Sequence, residues 1–507
     1  MKKKLYKYVL AIGLVLLASS VSALEIEVNG KVVKTIFNSE LQEVARQRTL
    51  AGELKTSVVL EELLPVCSSL KEISITSESG HTTSIRTYDE VLPLYHSYIL
   101  PGERGSVNFF MKNQFGEADL QIEGVQKISV SAEQVESEKL EVWISWEGVE
   151  ALKAEIRRWG ELHDIDVKVN EVPKSDSKLL SVLRGGGRPP DVILIQSDYI
   201  PALTAAGALQ PIVRFPTDQF AEKSLDALSL DGSLWAVPFY FDAQVLFYRS
   251  DLLSLSEFAR ADGVIEWDLD DFEKSARRIK EKGIAPASWN AYSAYWLLPF
   301  QLGFGKRSIT GAEGSVRVDD PATIEAVEYL KRLKDEGILD LRERDSMFSR
   351  FISGDIAMML SASFSIPELE RLGVPFGVAP FPEGPVGPIA PLLDFKGFAV
   401  SRKTRHPILS RRFLLSMSDP AVQHQFTREV FKLPVSEAAW QLTAQQNRYF
   451  SVLRNSYDNG VSVPSTEGYK IYKNTMWKML RFLLTGKLPV EEGLQRAQLL
   501  IDKQITR

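Results

Sequence analysis

The sequence predicts an α/β protein in which a long, doubly wound region follows a small β-rich α+β domain. From Lys139 onward, short apolar strands alternate with amphipathic helices, the order expected of a mainly parallel sheet covered by helices. From Leu24 to about Ser131 strands dominate, with apolar and polar residues alternating. The chain has 507 residues, 44% of them hydrophobic, and a single cysteine, Cys67, so its stability must come from cores and not from internal disulfides.

At the start of the chain, Lys2, Lys3, Lys4 and Lys7 precede an apolar run from Tyr8 to Ala18 and the small-residue stretch Val21-Ser22-Ala23. This is the pattern of a cleavable Sec-type signal peptide over residues 1–23, with the mature chain expected to begin at Leu24. The run is well short of the ~20 residues that span a bilayer as a helix. An uncleaved anchor is the alternative. No cysteine follows the run, so there is no lipobox, and the expected location is the periplasm or the extracellular face.

The formal net charge of −6 and the lack of a dense basic run past the signal segment argue against nucleic acid or an anionic membrane surface as partner. Five scattered histidines, His81, His96, His163, His406 and His424, offer no zinc-ligand spacing, so neither a metal nor a cofactor is expected. No motif fixes a carboxylate pair for glycoside cleavage or a Ser-His-Asp arrangement, so the chain is not expected to be an enzyme.

The first domain is expected over residues 24–135. Its strands are Ile26–Val28, Val32–Ile36, Ile73–Thr76, Thr82–Thr87, Val107–Met111 and Ile128–Val130, with short helices at Leu60–Leu64 and Tyr88–Tyr95. Turns fall at Ser79-Gly80 and Pro101–Gly105, and the polar run Gln134–Lys139 reads as a linker.

The second region, 136–507, opens with the strand Leu140–Trp146. The helix Glu150–His163 follows, with Leu152, Ile156 and Trp159 on one face, and then the strand Asp166–Val172. The helix Ser177–Arg184 runs into Gly185-Gly186-Gly187 and the buried strand Val192–Leu194. Because these glycines end a helix and precede a strand, they are not a phosphate loop. Asp268 is placed to cap a helix reaching Ile279. Phe351 and Ile352 close an apolar helix end, Gly354 permits a left-handed turn, and Ile356–Leu360 is a short buried strand.

The stretch Phe351–Met359 resembles a signature of the extracellular solute-binding proteins of family 1, the maltose/oligosaccharide-binding type that serves ABC importers. Further segments resemble that family in the same order: Gly185–Leu194, Gly207–Ile212, Asp231–Pro238, Arg249–Leu253, Trp267–Phe272, Asp320–Val327, Gly373–Pro382, Lys396–Ser401 and Gly486–Leu494. The resemblance implies a two-lobed periplasmic-binding-protein fold with a hinge and an interlobe cleft. Chain crossings would lie near Phe239–Val245, Leu392–Phe398 and Leu433–Gln445. Lobe 1 would then hold about 139–241 and 396–440, and lobe 2 about 242–395 and 441–507. It also implies a monomer that serves the permease subunits of an ABC importer. The first domain resembles the small mixed domain of sulfite-oxidase-like molybdopterin proteins around Val59–Leu64, Ser79-Gly80 and Pro101–Val107. Cys67 has no cofactor-contacting motif beside it, so a docking or spacer module is the reading for this domain.

Ligand contacts are expected where strands end. Trp146 and Glu147 end the first strand, Asp198 follows the second, Tyr240 and Asp242 lie at a crossing, Trp289, Asn290 and Tyr292 follow another strand, and Phe364 follows the signature. Rings beside acids and amides suit a carbohydrate, whose C–H faces pack on aromatic planes while its hydroxyls pair with donors and acceptors. Each position also has a plainer reading. The aromatics could cover a core, Asp242 and Asn290 could cap turns, and Phe364 could pack beneath the cleft. Tyr469 and Tyr472 are further candidates, or else part of a core stripe. Glu147, Asp198 and Asp242 keep a cationic ligand open, whereas the lack of an arginine pair at these loops argues against phosphate esters and dicarboxylates. Besides the importer receptor, the alternative function is a sensor or scaffold that docks a membrane or periplasmic protein through its N-terminal domain.

Overall fold

The computed structural model describes residues 23–505, apart from 51–52, 66, 87–95, 113–117, 135–138, 147, 214, 262, 309–314 and 445–447. The expected signal segment, the helix expected at Tyr88–Tyr95, most of the expected linker and Glu147 lie outside the described residues. The chain forms two compact units. One holds the described residues up to Glu141 together with Lys153–Val169 and His406–Ala421. The other holds Val142–Leu152, Asn170–Arg405 and Val422–Arg507.

In the first unit, two five-stranded sheets share an apolar interior. The first runs Lys31–Phe37, Ala23–Val28, Val125–Gln134, Cys67–Ser77, Thr82–Arg86, and the second Arg46–Leu50, Glu53–Val59, Ser97–Pro101, Val107–Lys112, Ala118–Ile122. Leu24, Ile26, Ile73, Ile75, Phe109 and Ile128 fill the space between them. All six strands expected here form. Arg46–Leu50, Glu53–Val59, Ser97–Pro101 and Ala118–Ile122 are additional, and the polar character of Arg46-Gln47-Arg48-Thr49 concealed the first of them.

The helix expected at Leu60–Leu64 is a 3-10 turn over Leu60–Leu63, and its Glu61 and Glu62 are only 2% and 6% exposed. Buried carboxylates need partners, and these come from the segments that join the unit from further along the chain. Arg48 donates to Asp419 Oδ2 at 2.7 Å, to Glu62 Oε1 at 3.2 Å and to the Ser57 carbonyl. His163 Nε2 lies 3.3 Å from Glu61 Oε2, and Arg46 pairs with Glu155 at 2.5 Å. Trp159 packs edge-on against Phe413 with ring centroids 5.3 Å apart. The compact unit is therefore larger than the contiguous span 24–135, because its buried charges are neutralised by residues 155–163 and 419. Burial alone would raise the Asp419 carboxyl, but Arg48 outweighs it and holds it below the ordinary value.

The central sheet of the chain runs in the order Val167–Glu171, Leu140–Ile144, Val192–Gln196, Leu392–Val400, Val237–Arg249, Ile356–Ala362, Ala285–Trp289, Leu339–Leu341, and from Val192 onward these strands belong to the second unit. The 13-residue strand Val237–Arg249 passes from one half to the other. Its first part pairs with Leu392–Val400 (Val237↔Phe398, Ala243↔Leu393) and its second with Ile356–Ala362 (Gln244↔Ala362, Tyr248↔Met358). Leu433–Pro434 adds to the same strand at Tyr240 and Phe241. The strands Val237–Arg249, Leu392–Val400 and Leu433–Pro434 thus meet at one seam between two α/β lobes.

Local caps fall where the residues dictate. Asp268 accepts from the Asp271 amide at 2.9 Å and opens the helix Leu269–Glu281. The helix Arg344–Ser353 ends at Gly354, whose φ of +84° only glycine adopts freely, and Arg249 donates to the Phe351 and Ile352 carbonyls at 2.9 Å each. The strand Ile356–Ala362 that follows is buried throughout.

The seam carries charge. Asp242, 2% exposed, accepts from Lys396 at 3.0 Å and from Lys432 at 3.0 Å, and Lys396 also reaches Asp394 Oδ2 at 2.9 Å. Burial alone would raise the Asp242 carboxyl, but Lys432 and Lys396 together hold it below the ordinary carboxylate range.

Two outcomes are expected. Arg48→Met, which leaves Glu62 and Asp419 buried without their cation, should destabilise the protein by ~3–5 kcal/mol in urea unfolding. Asp242→Asn should cost a similar ~3–5 kcal/mol at neutral pH, because two ammonium groups lose their anion. A carboxyl held low in the folded state stabilises above its unfolded pKa and loses that contribution as pH falls through the folded value. The gap between wild type and Asp242→Asn in thermal unfolding should therefore shrink below about pH 4.

Candidate functional site

Asp198 lies just past the strand Val192–Gln196 of the first lobe. Its Oδ2 accepts from Lys473 at 2.6 Å, a residue of the second-lobe helix Glu467–Leu484. Ser465, just before that helix, donates to the Ser197 carbonyl. The two lobes therefore meet through Asp198, Ser197, Ser465 and Lys473, above the charged seam.

Several polar groups at this meeting point are buried with no hydrogen-bond partner: Asp198 Oδ1, Asp394 Oδ1, Asp176 Oδ1, the Ser197 hydroxyl and the Tyr469 hydroxyl. They are electrostatically close. Burial raises the Tyr469 phenol, and Asp198 and Asp394 raise it further. Burial pushes Asp394 up despite Lys396, and lifts Asp176 well above its ordinary value with help from Asp198. Burial likewise raises Tyr295, with Asp394 adding to it. Cations of the same network stand over two nearby rings. Lys473 stands 5.1 Å over Tyr469, and Lys396 and Lys432 stand 5.5 Å and 5.4 Å from the Tyr240 ring centroid. Acceptor oxygens facing aromatic rings can bind a ligand that offers hydroxyl or ammonium donors on an otherwise apolar frame.

Of the sequence candidates, Asp198, Tyr240 and Asp242 come together here. Phe364 joins them through Lys432, 5.4 Å over its ring. Asn290 and Tyr292 form a second group at the lobe-2 rim: Asn290 donates to Glu343 at 2.9 Å, and Arg481 lies 5.1 Å over Tyr292. Trp289 is elsewhere, 1% exposed in the lobe-2 core and stacked on Phe300 at 5.7 Å. Trp146 is half-buried on a left-handed backbone, φ +71°, in the loop after the first strand. Tyr469 faces the site, whereas Tyr472 donates to Gln301 at 2.7 Å inside lobe 2.

Sequence reasoning missed Asp176, Tyr295, Asp394, Lys396, Lys432 and Lys473. The signal for two of them was present, since Asp394 and Lys396 interrupt the otherwise apolar strand Leu392–Val400, where charge is costly unless it is used. Two arginines from outside these loops lie over candidate rings. Arg344 lies 5.2 Å over Phe364 and Arg481 covers Tyr292, the latter arriving from a helix far along the chain.

Among the described residues no cluster of His, Cys, Asp and Glu could hold a metal ion, and no helix is long and apolar enough to cross a membrane. The maltodextrin-binding protein MdxE of Bacillus subtilis is 25% identical over 331 residues, covering 63% of this chain and 78% of that protein. The galactooligosaccharide-binding protein of the same organism is 22% identical over 325 residues, covering 61% and 76%. Among solved structures, the GacH receptor of Streptomyces glaucescens, studied unliganded and with acarbose, superposes with a TM-score of 0.65 at 22% identity, covering 73% of this chain and 99% of that one. The family model described as bacterial extracellular solute-binding protein matches residues 145–423, more than half of the chain. With two α/β lobes that meet at one polar seam, and with the family model matched over more than half of its length, the chain belongs to the bacterial extracellular solute-binding protein family.

Proposed function

We propose that this protein is an exported receptor that closes two hinged lobes on a carbohydrate, most fittingly an oligosaccharide, and delivers it to the permease subunits of an ABC importer. The observation that carries this is the set of partnerless oxygens on Asp198, Asp394, Ser197 and Tyr469 at the interlobe meeting point. Buried acceptors are costly unless a donor reaches them, and sugar hydroxyls supply donors in number. The ligands named for the relatives, maltodextrin and galacto-oligosaccharide, support the same class. The site binds and releases, with no chemistry on the ligand.

A second reading has one observation in its favour. The strand Lys31–Phe37 is the edge of its sheet and leaves Val32, Val33 and Phe37 40–52% exposed, a surface on which a membrane or periplasmic partner could add. Under this reading Val33→Asp with Phe37→Asp would abolish uptake in cells and leave ligand affinity untouched, and unchanged uptake would remove it.

Calorimetric titration with maltodextrins and galacto-oligosaccharides should give saturable heat for at least one series. Asp198→Asn should weaken that binding by about 10- to 100-fold through loss of charged hydrogen bonds. Silence across the whole panel would defeat the carbohydrate assignment.

A further inference from the structure

Three carboxylates gather at the carboxyl end of the strand Val192–Gln196. Asp198 follows that strand directly. Asp394 stands two residues before Lys396, the register partner of Gln196 in the neighbouring strand. Asp176 lies in the first turn of the helix Ser175–Arg184, which is tied to the same strand by the Ser175 hydroxyl donating to the Leu194 carbonyl at 3.2 Å. Asp176 is 2% exposed, and each of the three carboxylates holds one oxygen, Oδ1, that is buried without a hydrogen-bond partner.

The charges in this place do not balance. Lys473 pairs with Asp198, Lys432 with Asp242, and Lys396 is shared between Asp242 and Asp394. Together with Asp176, four carboxylates meet three ammonium groups, and among the described residues no cation pairs with Asp176. Burial lifts the Asp176 carboxyl well above its ordinary value, and Asp198 and Asp394 add to the lift, as like charges packed together must.

A neutral sugar relieves this only in part. A hydroxyl offers one donor and brings its own acceptor oxygen, whereas a protonated amine offers three donors, no acceptor and a unit of positive charge. Hydrogen bonds from hydroxyls leave the excess negative charge buried, and a buried charge is costly until an opposite one reaches it. A metal ion is no substitute, since no cluster of His, Cys, Asp and Glu among the described residues could hold one.

Resting on the carbohydrate reading above, we infer that the ligand is an amino sugar whose ammonium group seats against Asp176, Asp198 and Asp394. The Ser197 and Tyr469 hydroxyls, also buried without partners, serve its hydroxyls. A site tuned to neutral sugars would gain nothing when one hydroxyl of its ligand is exchanged for an ammonium.

The test is calorimetry on the full chain under conditions in which sugar amines are protonated. The best-binding neutral sugar of the panel above is compared with its monoamino-deoxy analogues, one hydroxyl replaced at a time, and glucosamine oligomers are compared with cellodextrins of the same length. Spermidine serves as an amine without a sugar frame. At least one amine-bearing sugar should bind about 10- to 100-fold more tightly than its neutral parent, and Asp176→Asn should cut that preference to within about 3-fold. Asp176→Asn keeps the side chain's shape and breaks no ion pair among the described residues, and Asp394→Asn serves as the second variant. Neutral parents that bind as tightly as every amine, or a preference that survives in both variants, overturn the ammonium assignment and leave the carbohydrate reading standing. Heat from spermidine but from no sugar, or no heat from any sugar, charged or neutral, overturns both.

Discussion

A single carboxylate held between two buried ammonium groups constrains the second unit more than any other contact. Asp242 belongs to the strand that passes between the lobes, Lys396 to its antiparallel neighbour, and Lys432 to the segment that leads into the third crossing. The three charges come from three separate segments, and none could be buried alone. The three segments must therefore assemble together and in register, which fixes the point about which the lobes are joined. Neutral, well-packed residues could supply as much stability. Charge in this place instead ties the joint to the polar oxygens directly beside it.

That coupling explains the character of the site. Lys396 is shared between Asp242 and Asp394, so Asp394 has one oxygen engaged with the seam and the other buried without a hydrogen-bond partner. Asp198 is divided in the same way between Lys473 and its free Oδ1. Carboxylates fixed at one oxygen and open at the other are pre-organised acceptors: little side-chain entropy remains to be lost when a donor arrives.

The architecture was legible in the sequence because it rests on local signals. The Asp268 cap, the left-handed Gly354 and the apolar run after it each dictate geometry within a few residues, whereas the crossings were expected only from the family resemblance. The site was legible only in part. Asp198, Tyr240 and Asp242 sit at strand ends or in a crossing, where a linear reading looks for contacts. Lys473 reaches Asp198 from a helix whose periodicity also describes a plain amphipathic surface. Trp289 shows the converse: a tryptophan at a strand end meets the expectation equally well whether it faces a cleft or, as here, stacks on Phe300 in a core. Direction of burial is a property of tertiary packing, and short-range pattern does not encode it.

The Arg48–Asp419 bond closes a separation of 371 residues. An arginine near the front of the chain thus depends on an aspartate made late, and any nascent polypeptide halted before residue 419 holds that guanidinium without its principal counter-ion. Loop closure over such a span is entropically slow to achieve. The sheets around Arg48 thus reach their final electrostatic balance only once the segment that carries Asp419 has docked.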